Sequence, residues 1–442
     1  MPKLLLIQPS QYKKDGNLCK QKKIYLPGLV FPYLASFCSK EWDVKINLEV
    51  VDDINFDEDV DLIGIGTMGH NIFRGLDIAK EFKKRGKIVF FGGYMASMVP
   101  EKVLESGFVD SIIIGDAEIS FPKLLKDYQT KGTIERIYNY PIKDLNNLPI
   151  PKYEYLLEKP IGDMLPVQAG RGCPHSCSFC SIACIYKGRY MSRPIEEVLR
   201  DIKRIRELGF KRFYLIDDNI VGNPTYLKKI SEFIKPLKMK WASQCSLNIA
   251  RNPELLKTVA ESGCNILSFG IESITQEGLN KLNKSWVNVN EHKELIKKIE
   301  DSGIMVSTEM ILGTDSDTIE SIKETYNFIN DTKISIPRFY ILTPMPGTDL
   351  FNRYKAEGRI LHEDYQKYDG TQCVHIPENI SPEDLTKMYW WLYNQVFSIS
   401  CILRRTIFKK YALKHPLVSL FALFVNFHYR GYIKQGTVPN IF

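Results

Sequence analysis

The stretch GRGCPHSCSFC, residues 170–180, places three cysteines in a single loop, at Cys173, Cys177 and Cys180. Three thiolates at this spacing, C-x3-C-x2-C, can ligate three irons of a cubane iron–sulfur cluster. The fourth iron would then have no protein ligand, and an open metal position can bind a substrate or a cofactor. Three cysteines spaced in this way after a strand-like segment rarely arise from packing alone. The stretch therefore predicts a metal centre with these three cysteines as its ligands.

The spacing alone leaves two other interpretations open. Zinc sites usually pair C-x2–4-C with a second pair of ligands further along the chain, and no such pair follows here. Cys184 extends the run to C-x3-C-x2-C-x3-C. A fourth thiolate would close the cluster and restrict the site to electron transfer.

The composition is that of an ordinary globular protein. With 442 residues, 44% of them apolar and 25% charged, the chain is long enough for two or three domains with their own cores. Most of the ten cysteines are scattered, unlike those of a secreted disulfide framework. Residues 1–7 contain too short an apolar run for a signal peptide. These features favour a reduced cytoplasmic setting, which an oxygen-sensitive cluster would need.

The net charge of +7 is unevenly distributed. Residues 385–442 contain no Asp or Glu but eight Lys or Arg, and the rest of the chain is close to neutral. The excess of positive charge therefore belongs to the C-terminal tail rather than to a nucleic-acid groove in the body.

The N-terminal region, residues 1–135, alternates apolar strands with helices. Strands are predicted at 4–8, 46–51, 61–66, 87–93 and 110–115, and apolar residues recur at helical spacing over 72–82. This alternation predicts a doubly wound, flavodoxin-like parallel sheet. Ligands of such sheets bind beyond the carboxyl ends of the strands. The residues of interest at those ends are Thr67, His70, Gly92, Gly93, Gly115 and Glu118.

A proline-rich linker, residues 136–160, leads into a second run of strands and helices over 161–370. Its strands are predicted at 166–170, 213–216, 240–246, 266–270, 304–312 and 338–342. Six βα units make a partial (β/α)6 barrel, related to the eight-fold barrel whose sites gather at the carboxyl ends of the strands. The cysteine loop and several polar clusters all fall at those ends.

The cysteine loop and the βα units together resemble the radical S-adenosylmethionine (SAM) enzymes, and the resemblance covers 161–370. In that family SAM chelates the open iron, and reduction cleaves SAM to a 5′-deoxyadenosyl radical. The resemblance implies a 4Fe-4S cluster and SAM as cofactors, and an external electron donor of the flavodoxin or ferredoxin type. It covers the first three cysteines of the loop, so we interpret Cys184 as a non-ligand.

The same resemblance implies a set of SAM-binding residues. Phe179 matches the aromatic residue that packs on the adenine, and Glu272, in the fourth-strand motif, matches a residue placed to accept hydrogen bonds from the ribose hydroxyls. The other positions assigned to SAM are Asp217, Asp218, Gln244, Ser246 and Ser273. Each has an alternative as a strand-end cap or a turn residue. Glu309, in the middle of a strand, is expected either to pair with Arg338 or to bind substrate.

The N-terminal region resembles the cobalamin-binding domains fused in front of radical SAM barrels. The turn at Gly92 and Gly93 and the corner from Gly115 to Glu118 match glycine turns of that family, which implies a corrin site that includes Thr67 and His70. The D-x-H-x-x-G motif, whose histidine coordinates cobalt, is missing after the first strand. Bound cobalamin would therefore lack a histidine ligand of that kind.

The C-terminal extension, residues 371–442, is expected to be helical, with Ser381 as a helix N-cap. The apolar segment 416–427 is shorter than the roughly 20 residues of a membrane span. Its aromatic, basic and acid-free surroundings leave two interpretations: an interfacial helix on anionic lipid, or a helix packed over the barrel mouth with a solvated basic face.

The favoured function is a cobalamin-dependent radical SAM enzyme that methylates an unactivated carbon of a small molecule. A hydrophobic or lipid substrate, and peripheral membrane contact, follow if the tail is interfacial. The alternatives are cyclisation or rearrangement with the same cofactors, and a non-enzymatic corrinoid sensor or electron-transfer protein. A nucleic-acid substrate is disfavoured because the body of the chain is neutral.

Overall fold

The computed structural model describes residues 1–13 and 15–437. The last five residues of the predicted C-terminal extension, 438–442, lie outside the described part. The chain forms two compact units, one built on Met1–Pro166 and the other on Val167–Glu363 and the segment that begins at Lys367.

The first unit contains one parallel sheet with helices between its strands. Its strands are β1 (Lys3–Gln8), β2 (Asp43–Leu48), β3 (Leu62–Gly66), β4 (Ile88–Gly92), β5 (Ser111–Ile113) and β6 (Ile137–Tyr138). Its helices are α1 (Val30–Phe37), α2 (Ile72–Lys84), α3 (Tyr94–Met98), α4 (Pro100–Glu105), α5 (Ala117–Lys131) and α6 (Glu154–Leu157). The strand order is β2-β1-β3-β4-β5-β6 and all the pairs are parallel. The predicted doubly wound sheet is confirmed.

The continuous apolar run of β1 explains its place in the middle of this sheet. All four residues from Leu4 to Ile7 are at most 3% exposed, as expected for a strand covered on both faces by helices. The second strand begins and ends three residues earlier than its predicted range, 46–51. Glu49, just after it, forms a buried ion pair with Arg74, with Nε and Oε1 2.9 Å apart. An ionised side chain buried in this way has to be paired.

The second unit holds the predicted partial barrel. The barrel region contains β7 (Met164–Val167), whose last residue is the first of this unit, followed by β8 (Gly170–Gly172), β9 (Tyr190–Ser192), β10 (Arg212–Leu215), β11 (Lys240–Cys245), β12 (Cys264–Glu272), β13 (Met305–Leu312) and β14 (Ile336–Ile341). Helices between the strands are α7 (Ser181–Tyr186), α8 (Ile195–Glu207), α9 (Pro224–Ile234), α10 (Pro253–Glu261), α11 (Gln276–Lys281), α12 (His292–Asp301) and α13 (Ile319–Thr332). They are followed by α14 (Asp349–Ala356), α15 (Pro382–Val396), α16 (Ile399–Thr406), α17 (Lys410–Lys414) and α18 (Pro416–Lys434).

Six strands form the barrel sheet, in the order β14-β13-β12-β11-β10-β7. The predicted sequence of six βα units is therefore confirmed. Local signals fixed several boundaries: Asn252 accepts a hydrogen bond from the Leu255 N–H at 3.0 Å, and Ser381 accepts one from the Asp384 N–H at 3.1 Å. Both are the N-caps of helices that begin with proline, and the cap at Ser381 is the one predicted above.

The first barrel strand was predicted too late in the chain. It ends at Val167 rather than at residue 170, and Gly170 begins a separate antiparallel ribbon in which β8 pairs with β9. The reason is a pair of long-range bonds at Ala169. Its N–H donates to Asp217 Oδ1 at 2.8 Å, and its carbonyl accepts from the Arg193 N–H at 2.8 Å. The cysteine loop leaves from this ribbon, not directly from the barrel strand.

The C-terminal helices pack on the barrel through buried polar groups. Arg405 is fully buried and donates to the carbonyl oxygens of Ile334 (3.1 Å), Ser335 (3.3 Å) and Val396 (2.9 Å), and to Asn426 Oδ1 at 3.0 Å. Part of the basic charge of the tail is thus internal. Within the described residues, no helix combines the length and the apolar character that crossing a membrane requires.

Candidate functional site

A cavity of about 480 Å³ opens at the carboxyl ends of the barrel strands in the second unit. This is the end at which eight-fold barrels place their sites. Its lining combines the cysteine loop with residues from β10 to β14 and from the loops that follow them. The residues that the next paragraphs use are Cys173, His175, Cys177, Phe179, Cys180, Asp218, Asn219, Gln244, Ser246, Glu272, Lys284, Trp286, Glu309, Tyr340 and Met345.

Three of the four clustered cysteines share this cavity. Cys173, Cys177 and Cys180 line it. Cys184 is absent from its lining, and its thiol donates to the Gly347 carbonyl at 2.9 Å. The structure therefore separates the C-x3-C-x2-C group from the fourth cysteine, which supports three protein ligands rather than four.

Hydrogen-bond donors are directed at the sulfur atoms. The Asn219 amide lies 3.8 Å from Cys173 Sγ, and the Ile182 and Ala183 N–H groups at the start of α7 bond to Cys180. Burial raises the pKa of the Cys177 thiol to about 12 and raises that of Cys180. Metal binding must therefore displace these protons. Such donors stabilise sulfur ligands of a cluster and tune its potential.

The cysteine environment fits an iron–sulfur cluster. Among the described residues, no three His, Cys, Asp or Glu side chains stand close enough together to hold one metal ion. The fit to a cluster rests instead on the three thiols that line one cavity and on the N–H donors directed at the sulfur atoms of Cys173 and Cys180.

Gly172 fixes the backbone where the ribbon enters the cysteine loop. Its φ of +89° lies in the left-handed region, and a Cβ there would lie 2.1 Å from the Arg189 carbonyl oxygen. No side chain fits at this position without moving the backbone of Arg189, just before β9.

We expect Gly172→Ala to lower the iron content of reconstituted protein severalfold, because the ribbon would have to open. Gly188→Ala is the matched control. Gly188 also has a positive φ, +77°, but its Cβ would meet only Pro174 O at an ordinary 3.7 Å, so it carries only the backbone strain, roughly 1–2 kcal/mol. Iron and sulfide analysis measures both variants, and equal cluster content would contradict the expectation.

A short segment, residues 282–286, holds the cysteine loop from one side; we call it the strap. The Ser178 N–H donates to the Leu282 carbonyl at 3.0 Å, and the Asn283 side chain donates to the Ser176 carbonyl at 2.7 Å. His175 stacks on Trp286 with ring centroids 3.6 Å apart. The strap therefore sets the position of the loop between its first and third cysteines.

The strap also supplies a lysine that the sequence analysis missed. Lys284 is 6% exposed and its Nζ lies 2.6 Å from Glu272 Oε1 and 2.7 Å from the Gly270 carbonyl. Glu272 has a φ of +61° at a register irregularity of β12, a strained conformation for a residue with a side chain. Lys284 thus holds the carboxylate that the resemblance assigns to the ribose. In sequence, Lys284 is simply one of several lysines after α11, and no pattern marks it.

Lys284→Met is expected to raise the KM for SAM roughly 10- to 100-fold, the range for losing a partner that orients a ligand, with the iron content unchanged. Its control is Lys281→Met. Lys281 is 40% exposed and 3.8 Å from Glu378, and such surface pairs contribute about 0–1 kcal/mol. SAM-cleavage kinetics distinguish the two, and an unchanged KM in Lys284→Met would exclude the positioning role.

The two adjacent aspartates after β10 have different environments. Asp217 is 2% exposed, is not part of the cavity lining, and accepts the Ala169 N–H. Asp218 lines the cavity and accepts the Gly172 N–H at 2.7 Å. Burial raises the pKa of Asp217 to about 7 and that of Asp218 to about 6. Asp217 therefore braces the ribbon, and Asp218 is the one that faces the cavity.

Four of the remaining residues assigned to SAM by sequence also line the cavity. These are Phe179, Gln244, Ser246 and Glu272. The Ser246 hydroxyl is buried and makes no hydrogen bond, so it is available to a bound ligand. Ser273 lies outside the lining; its hydroxyl accepts the Thr275 N–H at 3.1 Å in the turn before α11.

Glu309 pairs with Arg338 on the neighbouring strand. This pairing is one of the two roles expected for Glu309 from the sequence. Arg338 Nε lies 2.8 Å from Glu309 Oε1, which also accepts from Ser268 at 3.2 Å. Glu309 nevertheless lines the cavity beside Tyr340 and Met345. The sequence missed these two neighbours because nothing distinguishes them from ordinary strand and loop residues.

In the first unit the predicted corrin residues follow the strands as expected. The sheet order reverses direction between β1 and β3, and the point of reversal is where doubly wound sheets bind ligands. His70, after β3, contacts Gln11, after β1, through its Nε2 atom. Gln11 stands in the segment that lacks the cobalt-binding histidine motif.

The glycine turns beside this point have unequal roles. Gly93 has a φ of +97° and a Cβ there would lie 2.2 Å from the Thr67 carbonyl oxygen, so a side chain is excluded by packing. Gly115 has open space above it and its N–H bonds to Ser97 Oγ at 2.9 Å. Gly92 ends β4, and Glu118 lies in the first turn of α5. An open face above a glycine is compatible with the close approach of a large planar ligand, so these residues fit a corrin.

Residues 167–329 match the model of the radical SAM superfamily. The chain is 29% identical over 413 residues, 91% of its length and 89% of the relative's, to the bacteriochlorophyllide d C-12(1)-methyltransferase of Chlorobaculum tepidum. It is 26% identical to the anaerobic magnesium-protoporphyrin IX monomethyl ester cyclase of Cereibacter sphaeroides, covering 66% of this chain and 52% of that protein.

One solved structure shares the fold over almost the whole chain. It is that of the cobalamin-dependent S-adenosylmethionine radical enzyme OxsB with aqua-cobalamin and S-adenosylmethionine bound. The TM-score is 0.69 at 15% identity, and the match covers 98% of this chain and 73% of that chain.

Proposed function

We propose that this chain, a radical SAM enzyme, methylates an unactivated carbon of a hydrophobic small molecule with cobalamin as the methyl carrier. The observation that carries the proposal is the cavity in which three cysteines, Asp218, Ser246 and Glu272 meet at one end of the barrel. The flavodoxin-like first unit supports a site for cobalamin, and the methyltransferase relative supports the transfer of a methyl group.

The cluster would supply one electron for the cleavage of SAM, and cobalamin would supply the methyl group. Cys173, Cys177 and Cys180 would hold the cluster. Glu272 would accept hydrogen bonds from the ribose, with Lys284 fixing its orientation, and Phe179 would pack against the adenine.

Asp218 and Ser246 offer acceptors to the amino-acid part of SAM. Asp218 is placed for this because its other contact is a backbone N–H of the ribbon, and the Ser246 hydroxyl has no partner within the protein.

The cavity has an apolar part, which favours an apolar substrate. Ile311, Tyr340, Leu342, Met345 and Trp286 all line it. Pockets with apolar walls and few polar groups bind mainly through burial of hydrophobic surface.

We also propose that the electron comes from an external flavodoxin- or ferredoxin-type donor, and that the tail contacts a membrane peripherally.

Cyclisation without methyl transfer is the second candidate, because a cyclase is among the relatives. Mass spectrometry separates the two. Incubation of the anaerobic, cluster-loaded enzyme with cobalamin, SAM and candidate apolar substrates is expected to yield a product heavier by one methylene unit. When the methyl group of SAM carries deuterium, the label is expected in that product.

A product that loses hydrogen without gaining a methylene unit would favour cyclisation and overturn methyl transfer. Cobalamin-free enzyme is the control: it is expected to yield no methylated product. Methylation at an undiminished rate in that control would contradict the role of cobalamin.

A further inference from the structure

The exposed face of α18 is more apolar than its buried face. Leu417, Leu420, Phe421, Phe424 and Phe427 are 80%, 54%, 37%, 57% and 42% exposed, and they recur at the spacing of one helical face. The opposite face, packed on the protein, includes Ser419 and Asn426, which are at most 2% exposed. A surface helix of a water-exposed protein shows the reverse pattern.

The buried polar residues explain why the helix is fixed in this orientation. Asn426 donates to the Ser335 carbonyl at 2.9 Å and accepts from Arg405 at 3.0 Å. Rotating α18 to bury its apolar side would break these internal bonds and remove one of the four acceptors of Arg405. An unsatisfied buried polar group costs about 1–3 kcal/mol. The apolar face is therefore held outward by the fold.

The segment before α18 continues the exposed apolar surface. Leu413, in α17, is 85% exposed and Phe408, just before it, is 67% exposed. Isolated exposed apolar residues are common, but a run of large ones on adjacent elements marks an interaction site. We call the side chains of Phe408, Leu413, Leu417, Leu420, Phe421 and Phe424 the apolar strip.

Positive charge accompanies the apolar strip. Arg404, Lys410, Lys414 and Lys434 are exposed, whereas Arg405 and Lys409 are buried and engaged in internal bonds. From residue 385 onward the sequence contains no acidic residue to offset these charges. Leucine and phenylalanine beside exposed lysine and arginine are the composition of a helix that lies in the interface of an anionic bilayer.

We propose that α17 and α18 form an interfacial membrane-binding surface, in which the apolar strip enters the acyl boundary and the exposed basic residues contact anionic headgroups. Charge complementarity selects this occupant: an anionic bilayer offers both an apolar layer and negative charge, whereas a second copy of this chain would bring the same positive charge to the contact. This inference deepens the peripheral contact proposed above and is independent of methyl transfer.

Flotation of the full-length, anaerobically purified protein with vesicles tests the proposal without SAM or substrate. The protein is expected to float with phosphatidylcholine vesicles that contain phosphatidylglycerol and to float less with phosphatidylcholine alone. High salt is expected to weaken the binding, because surface charge interactions are screened. Absence of binding to anionic vesicles would overturn the proposal, whatever the chemistry of the enzyme.

Substitutions separate the apolar and the electrostatic contributions. Leu417→Ser, Leu420→Ser and Phe424→Ser are each expected to reduce binding to the vesicles about tenfold. In the triple variant these reductions are expected to multiply. Lys410→Gln and Lys414→Gln are each expected to reduce binding to the anionic vesicles about fivefold. The matched control is Phe233→Ser: Phe233 is 56% exposed on α9, and its loss is expected to leave binding unchanged.

Two further measurements test whether the triple variant is folded and whether the protein self-associates. An unchanged melting temperature shows that the triple variant is folded, because all three side chains are exposed in the native state. Sedimentation velocity then tests for self-association. A dimer that the triple variant abolishes, together with equal binding of wild type and variant to vesicles, would assign the surface to a contact between copies and overturn the membrane assignment.

Discussion

Cys177→Ala is expected to abolish both the iron–sulfur cluster and SAM cleavage. Cys177 is the middle cysteine of the C-x3-C-x2-C group and lines the cavity, and each of the three irons that the protein would ligate needs its own thiolate. Burial raises the pKa of this thiol to about 12, so a site without metal keeps it protonated at neutral pH. Iron and sulfide analysis, the visible absorption spectrum and 5′-deoxyadenosine production measure the result.

Cys184→Ala is the matched control for this experiment. Cys184 stands in the same loop region but bonds to the Gly347 carbonyl instead of facing the cavity. We expect its replacement to keep the cluster and to leave the spectroscopic response of the reduced cluster to SAM unchanged. Loss of the cluster in Cys184→Ala, or full turnover in Cys177→Ala, would contradict the assignment of three ligands with one open iron.

Arg405→Ala is expected to lower the free energy of unfolding of the second unit by about 3 kcal/mol or more. The guanidinium joins α16 to the carbonyl groups of Ile334 and Val396 and to the Asn426 side chain. Its removal leaves buried acceptors without donors, each at a cost of roughly 1–3 kcal/mol. Urea unfolding of the apoprotein measures the change.

The neighbouring Arg404 provides the control, because it differs mainly in exposure. Arg404→Ala removes the same charge from the same helix but from its solvent side, where substitutions usually change stability by less than about 0.5 kcal/mol. Arg405→Lys should fall between the two, since an ammonium cannot reproduce the fork of the guanidinium. Equal losses of unfolding free energy in Arg404→Ala and Arg405→Ala would show that the charge of Arg405, not its internal hydrogen bonds, stabilises the fold.

The features that the sequence predicted are those set by short-range patterns. The apolar strand predicted at residues 4–8 and the proline-preceding cap at Ser381 each depend on a few neighbouring residues, and each has the expected structure. The alternation of strands and helices was enough to predict two parallel sheets, because parallel strands need crossover helices.

The features that the sequence did not predict depend on contacts between distant residues. The antiparallel ribbon exists because Asp217 takes the N–H of Ala169, 48 positions earlier. Lys284 became visible only once the fold had brought it to Glu272. The same holds for the tail: composition marked it as basic, but only the packing shows that Arg405 and Lys409 are internal while the apolar strip is outside.

The strap gives the site a property that no single residue has. Leu282 and Asn283 bond to the cysteine loop and Lys284 bonds to Glu272, so ordering of the loop by a cluster would also favour the conformation proposed to accept the ribose. Thermodynamic linkage makes such an effect reciprocal. If assembly of the cluster raises the affinity for SAM by a given factor, binding of SAM must raise the affinity for the cluster by the same factor. Bound SAM would therefore protect the cluster against loss of iron.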